Sequence, residues 1–492
     1  MDFLDPRRKK AHKQRLFLGY FLMSIAILLG TVLVMHLAFG FDVDRKTGEL
    51  VQNGTLYVDS KPKGAKVFIN NIEQRGRTDT RLVLPAGAYA LRIEASGYRN
   101  WEKTIDLDGG EIERITYPYL VPNEFVTTDV VTYASQPVIS TQSPDRRWLL
   151  TMSAYMDLTF DVVDLSDVKK APTQLVVPTS LFVGGFGAND TLEVVEWSTN
   201  NRNILMKWIG QDQTRFIVLD REDPAQSIDI NTVFGISPVV VSLKNKRSDQ
   251  FYYMEAVPGV LRVANSKNKT ISAPILEQVI DYKTYGDDIV LFATKKDVDA
   301  GRAKYVIYDG SQAYDLKNVA ESDYYPMDVS KYDNEWYYVI GARYEGNTFV
   351  YKNPLKYLKS DTHESVNVEA IIRLANPRYI SFSANTQFIG VQGGSEIMSF
   401  DLEKEHYYRV KLKVGVPEDY QVRWMDGRRY VYSVAGQSYI LDYDGSNEQT
   451  LVSSDYEAGP FFDRDYDNVF TIEDSKSTAG QKALTMTVID NS

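Results

Sequence analysis

Ser143, Asp145 and Arg146 place a hydroxyl, a carboxylate and a guanidinium close together in the stretch "SPDRRWLL", residues 143–150. A serine nucleophile needs a general base within hydrogen-bonding reach, and that base is most often histidine. The chain has four histidines, His12, His36, His363 and His406. The first two lie in or beside a long uncharged segment, so one pair, 43 residues apart, is left for catalysis or zinc binding, and neither chemistry is favoured.

The same stretch is better explained as a turn. Pro144 favours a type I turn, and the side chains of Ser143 and Asp145 suit hydrogen bonds to neighbouring backbone amides. No G-x-S-x-G elbow occurs in the repeats described below. We therefore predict a structural role for Ser143, Pro144 and Asp145, and no catalytic residue.

Three aspartates alternate in "DRDYDN", namely Asp463, Asp465 and Asp467, with Asp474 at the twelfth position of a calcium loop. Asn468 stands where such a loop normally has glycine, and no flanking helices are apparent. Calcium binding is therefore kept as an alternative, but we predict that this stretch forms a turn and no metal site. Because the chain has no cysteine, disulfides and thiolate metal sites are excluded, and no pattern indicates a cofactor.

A glycan hydrolase or lyase is the enzymatic alternative. That chemistry needs two carboxylates at a defined separation, and 66 acidic residues do not single out a pair. The stretch "DYYPMD", residues 323–328, has tyrosines suited to a carbohydrate or peptide site, although tyrosines in such strands more often pack inside.

The size, composition and charge of the chain restrict the class of protein to which it can belong. With 492 residues, of which 43% are hydrophobic, two or more structural units are expected, and 12% aromatic residues favour β structure. Residues 1–15 carry six basic and two acidic side chains, so residues 16–492 carry a net charge of −15. Nucleic acid binding needs a cationic face, so we predict no nucleic acid partner.

Residues 16–41 are predicted to form a transmembrane helix embedded in the lipid bilayer. The segment runs 26 residues without an acidic, lysine or arginine side chain, about 39 Å of helix, which spans a hydrocarbon core of about 30 Å with tilt. A cleaved signal peptide is the alternative, but its apolar region is normally shorter. The basic cluster "RRKKAHKQR", residues 7–15, predicts a cytoplasmic N-terminus at the cell membrane and a single pass.

Alternating apolar residues punctuated by Pro, Gly and Asn follow a polar linker, residues 42–53, and predict a small antiparallel β-sandwich of five to seven strands. The turn Pro62, Lys63, Gly64, Ala65, then "KVFINN", "LPAGAY" and "ASGY", resembles the PEGA domain over residues 54–120. Lys63 replaces the glutamate of that turn, which puts in doubt any carboxylate role. The resemblance implies a spacer or a module that binds envelope polymer.

Eight polar turns, each followed by a hydrophobic strand, recur along the rest of the chain. The strands begin near Trp148, Ile204, Phe251, Ile289, Trp336, Phe388, Tyr430 and Val469. Their mean spacing of about 46 residues without helical periodicity is typical of four-stranded propeller blades. Eight blades is the direct count, and seven is the alternative.

Ser143, Pro144 and Asp145, together with Asp442, Asp444, Gly445 and Asn447, resemble the "SPDG" and "DxDGSN" elements of TolB-type and WD40-like β-propellers. The last repeat supplies only three strands, and "EFVTTDVVTY", residues 124–133, has no repeat of its own. We predict that this segment completes the last blade and closes the ring, which leaves no exposed edge there.

The sequence thus predicts an all-β protein with five parts. They are a basic cytoplasmic tail (1–15), a transmembrane helix (16–41), a linker (42–53), a PEGA-like β-sandwich (54–120) and a β-propeller (121–492). The resemblances imply non-catalytic binding or scaffolding outside the cytoplasm, with an envelope protein or polysaccharide on the propeller. The alternatives are the propeller-type glycan hydrolase or lyase and an accessory or sensor subunit of a membrane machine.

Overall fold

The computed structural model describes residues 6–38, 41–43, 50–211, 213–286, 288–360, 366–454 and 459–490. The chain divides into two compact units between Glu124 and Phe125. His363 and the residues at 39–40 lie outside the described residues.

Helix α1, Pro6–Ala38, opens the first unit. It contains one stretch, His12–Val32, that is long and apolar enough to cross a membrane, with a mean hydropathy of 1.9. This apolar N-terminal helix is a candidate membrane span or signal sequence. The helix begins before residue 16, so the described basic residues from Arg7 onward belong to it.

The remainder of the first unit is a sandwich of two four-stranded sheets. Its strands are β1 Phe41–Val43, β2 Leu50–Val58, β3 Lys66–Ile69, β4 Ile72–Arg77, β5 Thr80–Pro85, β6 Gly87–Glu94, β7 Trp101–Leu107 and β8 Ile112–Ile115. One sheet has the order β1-β2-β5 with β8 paired to β2, and the other has the order β4-β3-β6-β7. Alternate residues such as Leu56, Ile93 and Trp101 are buried between them.

The prediction of a wholly antiparallel sandwich is wrong at one strand. β8 pairs with β2 in parallel, with Leu56 opposite Glu113 and Val58 opposite Ile115. β8 follows β7 of the opposite sheet, so the chain must cross between the sheets before it joins β2. Alternation identifies the buried face of a strand but not the direction of its partner.

The second unit consists of strands arranged as eight repeats. Strand β9, Val126–Tyr133, comes first. Repeats 1 and 2 are β10 Ile139–Gln142, β11 Trp148–Met152, β12 Thr159–Asp164, β13 Thr173–Val176, β14 Thr191–Trp197, β15 Asn203–Ile209, β16 Thr214–Asp220 and β17 Ile228–Asp229, with helix α2 at Ile230–Phe234. Repeats 3 and 4 are β18 Val240–Leu243, β19 Gln250–Met254, β20 Gly259–Asn265, β21 Thr270–Ile271, β22 Leu276–Tyr285, β23 Ile289–Thr294, β24 Arg302–Tyr308 and β25 Ala313–Ala320.

The other four repeats follow the same plan. Repeats 5 and 6 are β26 Met327–Tyr332, β27 Glu335–Ala342, β28 Asn347–Lys352, β29 Ala370–Arg373, β30 Tyr379–Phe382, β31 Phe388–Gly393, β32 Glu396–Asp401 and β33 His406–Lys411, with helix α3 at Pro354–Leu358. Repeats 7 and 8 are β34 Arg423–Trp424, β35 Arg429–Val434, β36 Gln437–Asp442, β37 Gln449–Ser453, β38 Phe461–Phe462, β39 Asn468–Asp474 and β40 Lys482–Val488.

The predicted strand starts are confirmed. The second strand of each repeat begins within one residue of the position inferred from its turn, as at Trp148, Ile289 and Phe388. The repeats form β-propeller sheets: six sheets have four strands, and repeats 3 and 4 share one eight-stranded sheet through pairing of β20 with β22. The count of eight blades, or seven, stays a prediction.

The predicted closure of the ring is also confirmed. The last sheet has the order β38-β39-β40-β9, so the strand before the first repeat is the outer strand of the last one. Val131 lies opposite Leu484, and Val126 lies opposite Val488. The first and last strands of the unit are thereby held together by a continuous antiparallel ladder.

Candidate functional site

The propeller has two kinds of loop surface. In each repeat the turn between the first and second strands lies at one end of the sheet, and we call the surface made by these turns the turn face. The loops between the second and third strands, and those that join successive repeats, lie at the other end, and we call that surface the loop face. Because neighbouring strands are antiparallel, alternate connections must lie at opposite ends.

Ser143 lies in a hydrogen-bonded turn on the turn face. The Ser143 hydroxyl donates to Asp145 Oδ1 at 2.5 Å and accepts from the Trp148 N–H at 2.9 Å. Asp145 Oδ1 also accepts from the Arg147 N–H at 3.1 Å. Ser143 is buried, and its oxygen is occupied by the turn. Its proton is donated to the Asp145 carboxylate and its lone pair accepts from the Trp148 N–H, so both are used within the turn.

The same chemistry recurs in other repeats. Ser383 donates to Asn385 Oδ1 at 2.7 Å and accepts from the Phe388 N–H at 3.1 Å. Ser198 uses its hydroxyl in the same way beside Asn200. A short polar side chain that closes the turn and accepts from the next strand explains why Ser, Asp and Asn recur at this spacing.

Turns of different repeats on this face also bond to each other. The Asp145 N–H donates to Asn201 Oδ1 at 3.1 Å, and the Arg146 guanidinium reaches the Met425 carbonyl at 2.7 Å while it lies 4.2 Å from the Tyr466 ring. Other contacts of this kind are Thr199 N–H to the Lys246 carbonyl, Lys244 to Asp288, Thr386 hydroxyl to the Lys331 carbonyl, and Tyr466 hydroxyl to the Met425 carbonyl. These polar groups on the turn face hold the repeats together.

The "DxDGSN" residues form a second structural turn. Asp442 Oδ2 accepts from the Asn447 side-chain amide at 2.9 Å, and Asp444 Oδ1 accepts from the Ser446 N–H at 3.0 Å. Gly445 has a φ of +82°, a conformation that favours glycine. In repeat 1 the equivalent Asp164 binds Arg147 at 2.8 Å, and this ion pair lowers the pKa of Asp164 to about 2.

The "DRDYDN" stretch is also a turn. Asp463 accepts from the N–H groups of Asp467 and Asn468 at 2.9 and 3.2 Å, and from the Asn468 side-chain amide at 2.6 Å. Its oxygens are thus used by local donors, as in the equivalent turns. In the part of the chain that the structure describes, no group of three acidic or histidine side chains is placed to hold a metal.

Two carboxylates have raised pKa values. Each lies on the first, innermost strand of its repeat. Burial raises the pKa of Asp328, on β26, to about 6, and it also raises the pKa of Asp281 on β22. The positive charge of Lys283 opposes both shifts. Asp281 is exposed to solvent, whereas Asp328 is half-buried.

A partly exposed cluster lies on the loop face. We define the Arg–Tyr cluster as Tyr324, Arg343, Tyr344, Arg378 and Tyr379. The Arg343 guanidinium carbon lies 4.2 Å from the Tyr324 ring centroid and 5.1 Å from that of Tyr344. Arg378 lies 5.2 Å from the same Tyr324 ring and 5.7 Å from Tyr379. Tyr344 is 58% exposed. One aromatic ring is thus shared by two cations at the protein surface.

The two arginines of this cluster differ in their contacts with acidic side chains. Arg343 binds Asp323 at 2.9 Å, whereas Arg378 makes no ion pair with any residue that the structure describes. The Arg343 Nε is buried and has no hydrogen-bond partner among the described atoms. The two tyrosines of "DYYPMD" differ in burial: Tyr325 is buried in the core, and Tyr324 is half-buried beside the two arginines. The sequence indicated the stretch but not its arginine partners, which come from loops 19 and 54 residues later.

Two clefts have no counterpart in the sequence-based prediction. One, of about 340 Å³, has Leu276, Phe292 and Val306 among its lining residues, together with Lys304, whose side chain is only 9% exposed and binds Asp315 at 2.8 Å. The other, of about 400 Å³, lies beside the glycine-rich loop 184–187 and Asp190. In the sequence, the first cleft is indicated by Lys304 at an inward position of β24. The second is indicated by the run "GGFG".

The Pro62–Ala65 turn of the first unit is held by a buried pair of hydroxyls. Thr78 Oγ1 accepts from the Ala65 N–H at 2.9 Å and bonds to Ser60 Oγ at 2.8 Å, while Ser60 donates to the Pro62 carbonyl at 2.6 Å. Gly64 has a φ of +76°, which favours glycine at this position. Lys63 is exposed, so the turn itself does not require a glutamate there.

The family comparison identifies this unit. Residues 53–119 match the PEGA domain. This part of the chain is a PEGA domain. The match begins and ends one residue before the limits that the motifs indicate, and it includes all eight strands except β1 and the start of β2. No match to a curated protein sequence is found for the chain.

Solved structures similar to the chain include β-propeller proteins. The Dos1 propeller has a TM-score of 0.43 and 13% identity, over 74% of this chain and 94% of that chain. Apo AztD from Citrobacter koseri has a TM-score of 0.39 and 10% identity, over 80% and 96%. Oligogalacturonate lyase in complex with manganese has a TM-score of 0.40 and 9% identity, over 75% and 98%. At these values the likenesses carry no argument about activity, and the architecture rests on the strand pairing itself.

Proposed function

We propose that this protein is a membrane-anchored binding or scaffolding protein of the cell envelope. Helix α1 supports the anchor, and the basic residues at its start support a cytoplasmic N-terminus with the PEGA domain and the propeller on the other side. The propeller binds an envelope protein or polysaccharide through its loop face.

The Arg–Tyr cluster carries this proposal. It combines exposed aromatic surface with guanidinium groups, the side chains most enriched where proteins make strong contacts. Arg378 interacts with Tyr324 and Tyr379 but forms no ion pair with a described residue, so its charge can pair with a carboxylate or phosphate of a ligand. On the turn face, in contrast, the comparable groups are bonded to turns of other repeats.

The test is capture of envelope components by the full chain in detergent. We expect an acidic polysaccharide or a protein to be retained by the unmodified chain and lost with Arg378→Ala and Tyr344→Ala. Tyr407→Ala is the matched control, because Tyr407 is an exposed tyrosine on the outer strand β33 of repeat 6. Equal capture by all three variants would remove the cluster from the proposal.

A glycan hydrolase or lyase is the second candidate, and the raised pKa values of Asp281 on β22 and Asp328 on β26 favour it. A carboxyl group with a raised pKa, such as Asp328, serves as a general acid in enzymes that cleave glycosidic bonds. Cleavage of a captured glycan that Asp328→Asn abolishes would establish this reaction. Capture without cleavage supports binding as the function.

A further inference from the structure

The outer face of one PEGA sheet carries two rows of cationic, aromatic and aliphatic side chains. In the sheet that contains β2, β5 and β8, Tyr57 lies opposite Arg81 on one side and Arg114 on the other. Directly opposed residues point to the same face of a sheet. The buried neighbours of Tyr57, Leu56 and Val58, point into the sandwich, so the Arg81, Tyr57 and Arg114 row points away from the core.

A second row lies beside the first on this face. Thr55 lies opposite Val83 and Ile112, and these two aliphatic side chains are 54% and 57% exposed. We call the two rows together the Arg81/Arg114 face. It presents two cations, one aromatic ring and two aliphatic side chains on one surface.

The two arginines of the Arg81/Arg114 face have no acidic partner. Neither forms an ion pair with a residue in the described ranges, and Arg114 instead lies 4.7 Å from the Tyr57 ring. The rest of the chain has the opposite character. Residues 53–119 have ten basic and nine acidic side chains, whereas residues 120–492 have 37 basic and 52 acidic ones. The face is therefore a cationic surface within an acidic protein.

Chain connectivity keeps this sheet near the end of α1. Strand β1, which pairs with β2, begins at Phe41, three residues after Ala38, and three residues span at most about 11 Å. The membrane-crossing stretch of α1 ends at Val32, and the six residues from there to Ala38 add about 9 Å of helix. The sheet begins within about 20 Å of the apolar stretch.

We propose that the Arg81/Arg114 face docks on the anionic phospholipid headgroups of the membrane that holds α1. Guanidinium groups bind phosphate in a bidentate manner, and a tyrosine ring suits the interface between headgroups and hydrocarbon. Val83 and Ile112 add apolar contact with that interface. This inference rests on the proposed membrane anchor but is independent of what the propeller binds.

The experiment uses single cysteines, because the natural chain has none. The full chain carrying Val83→Cys is labelled with an environment-sensitive fluorophore and reconstituted in vesicles of phosphatidylcholine, with or without phosphatidylglycerol, that contain lipids with a quencher at the headgroup. Ile72→Cys is the matched control, since Ile72 is also an exposed aliphatic residue but lies on β4 of the opposite sheet. We expect quenching of the Val83→Cys label only in the anionic vesicles, and little quenching of the Ile72→Cys label in either.

Removing the cations provides a second measurement. Near an anionic surface, loss of one arginine is expected to lower the ratio of docked to undocked molecules about fivefold, and loss of both about 30-fold. The double variant Arg81→Gln and Arg114→Gln should therefore abolish the quenching. The control variant Lys63→Gln and Arg75→Gln removes the same charge from exposed positions elsewhere and should not.

Three results would overturn the proposal. They are equal quenching of the two labels, quenching that does not depend on phosphatidylglycerol, and quenching that survives the loss of both arginines. If an acidic glycan added to the vesicles removes the quenching at Val83→Cys while the phosphatidylglycerol content makes no difference, the face binds polymer instead of lipid. A chain that an alkaline wash releases from the vesicles contradicts the membrane anchor as well, whereas a chain that stays inserted without docking contradicts the docking alone.

Discussion

The hydroxyl of Thr127 hydrogen-bonds to the hydroxyl of Thr487 at 2.8 Å, although 360 positions separate them in the chain. The contact lies within the ladder between β9 and β40, which joins the start of the second unit to its end. A propeller closed in this way has no free strand edge where its first and last repeats meet. The closure of the ring therefore depends on that ladder.

Leu484→Ala should therefore destabilise the second unit as a whole. Leu484 is fully buried in the core between β9, β39 and the first repeat. Truncation of a buried leucine costs about 2–5 kcal/mol in the free energy of unfolding. Urea denaturation followed by fluorescence measures this loss. Val126→Ala, in the same ladder but exposed, is the control and should change the free energy by less than about 0.5 kcal/mol.

Ser143→Ala should lower stability without any loss of binding. The substitution removes the acceptor of the Trp148 N–H and the donor to Asp145, and the loss of such a buried partner costs about 1–3 kcal/mol. Thermal unfolding and capture of the ligand measure the two effects separately. A Ser143→Ala chain that keeps its stability but loses an activity would favour a catalytic role for this serine.

The pKa of Asp328 makes a prediction about pH. Because its folded pKa is about 6 and its unfolded pKa about 3.9, the folded state binds the proton more tightly. Its contribution to stability is present below about pH 4 and is lost as pH rises through 6. We expect the stability of Asp328→Asn relative to the natural chain to increase between pH 4 and pH 7 in paired urea titrations. A difference that stays constant over this range contradicts the assignment.

The sequence predicts the architecture better than the site, and particular residues show why. The start of the strand at Trp148 could be predicted because it depends on the turn residues Ser143 and Asp145. Both lie within five residues of that start. The parallel pairing of β8 with β2 was missed because side-chain alternation is the same for either direction. The Arg–Tyr cluster was missed because Tyr324, Arg343 and Arg378 come from three separate loops, and only the packing of the repeats brings their side chains together.

The most direct test of the central claim is a binding titration at the Arg–Tyr cluster. The ligand identified by capture is titrated against the full chain, Arg378→Ala and the control Tyr407→Ala at fixed salt. Loss of a hydrogen bond to a charged group corresponds to about 1.5–3 kcal/mol, so Arg378→Ala should weaken binding by at least about tenfold. The control should bind as the natural chain does. Equal affinities for all three proteins would show that the propeller binds its partner elsewhere.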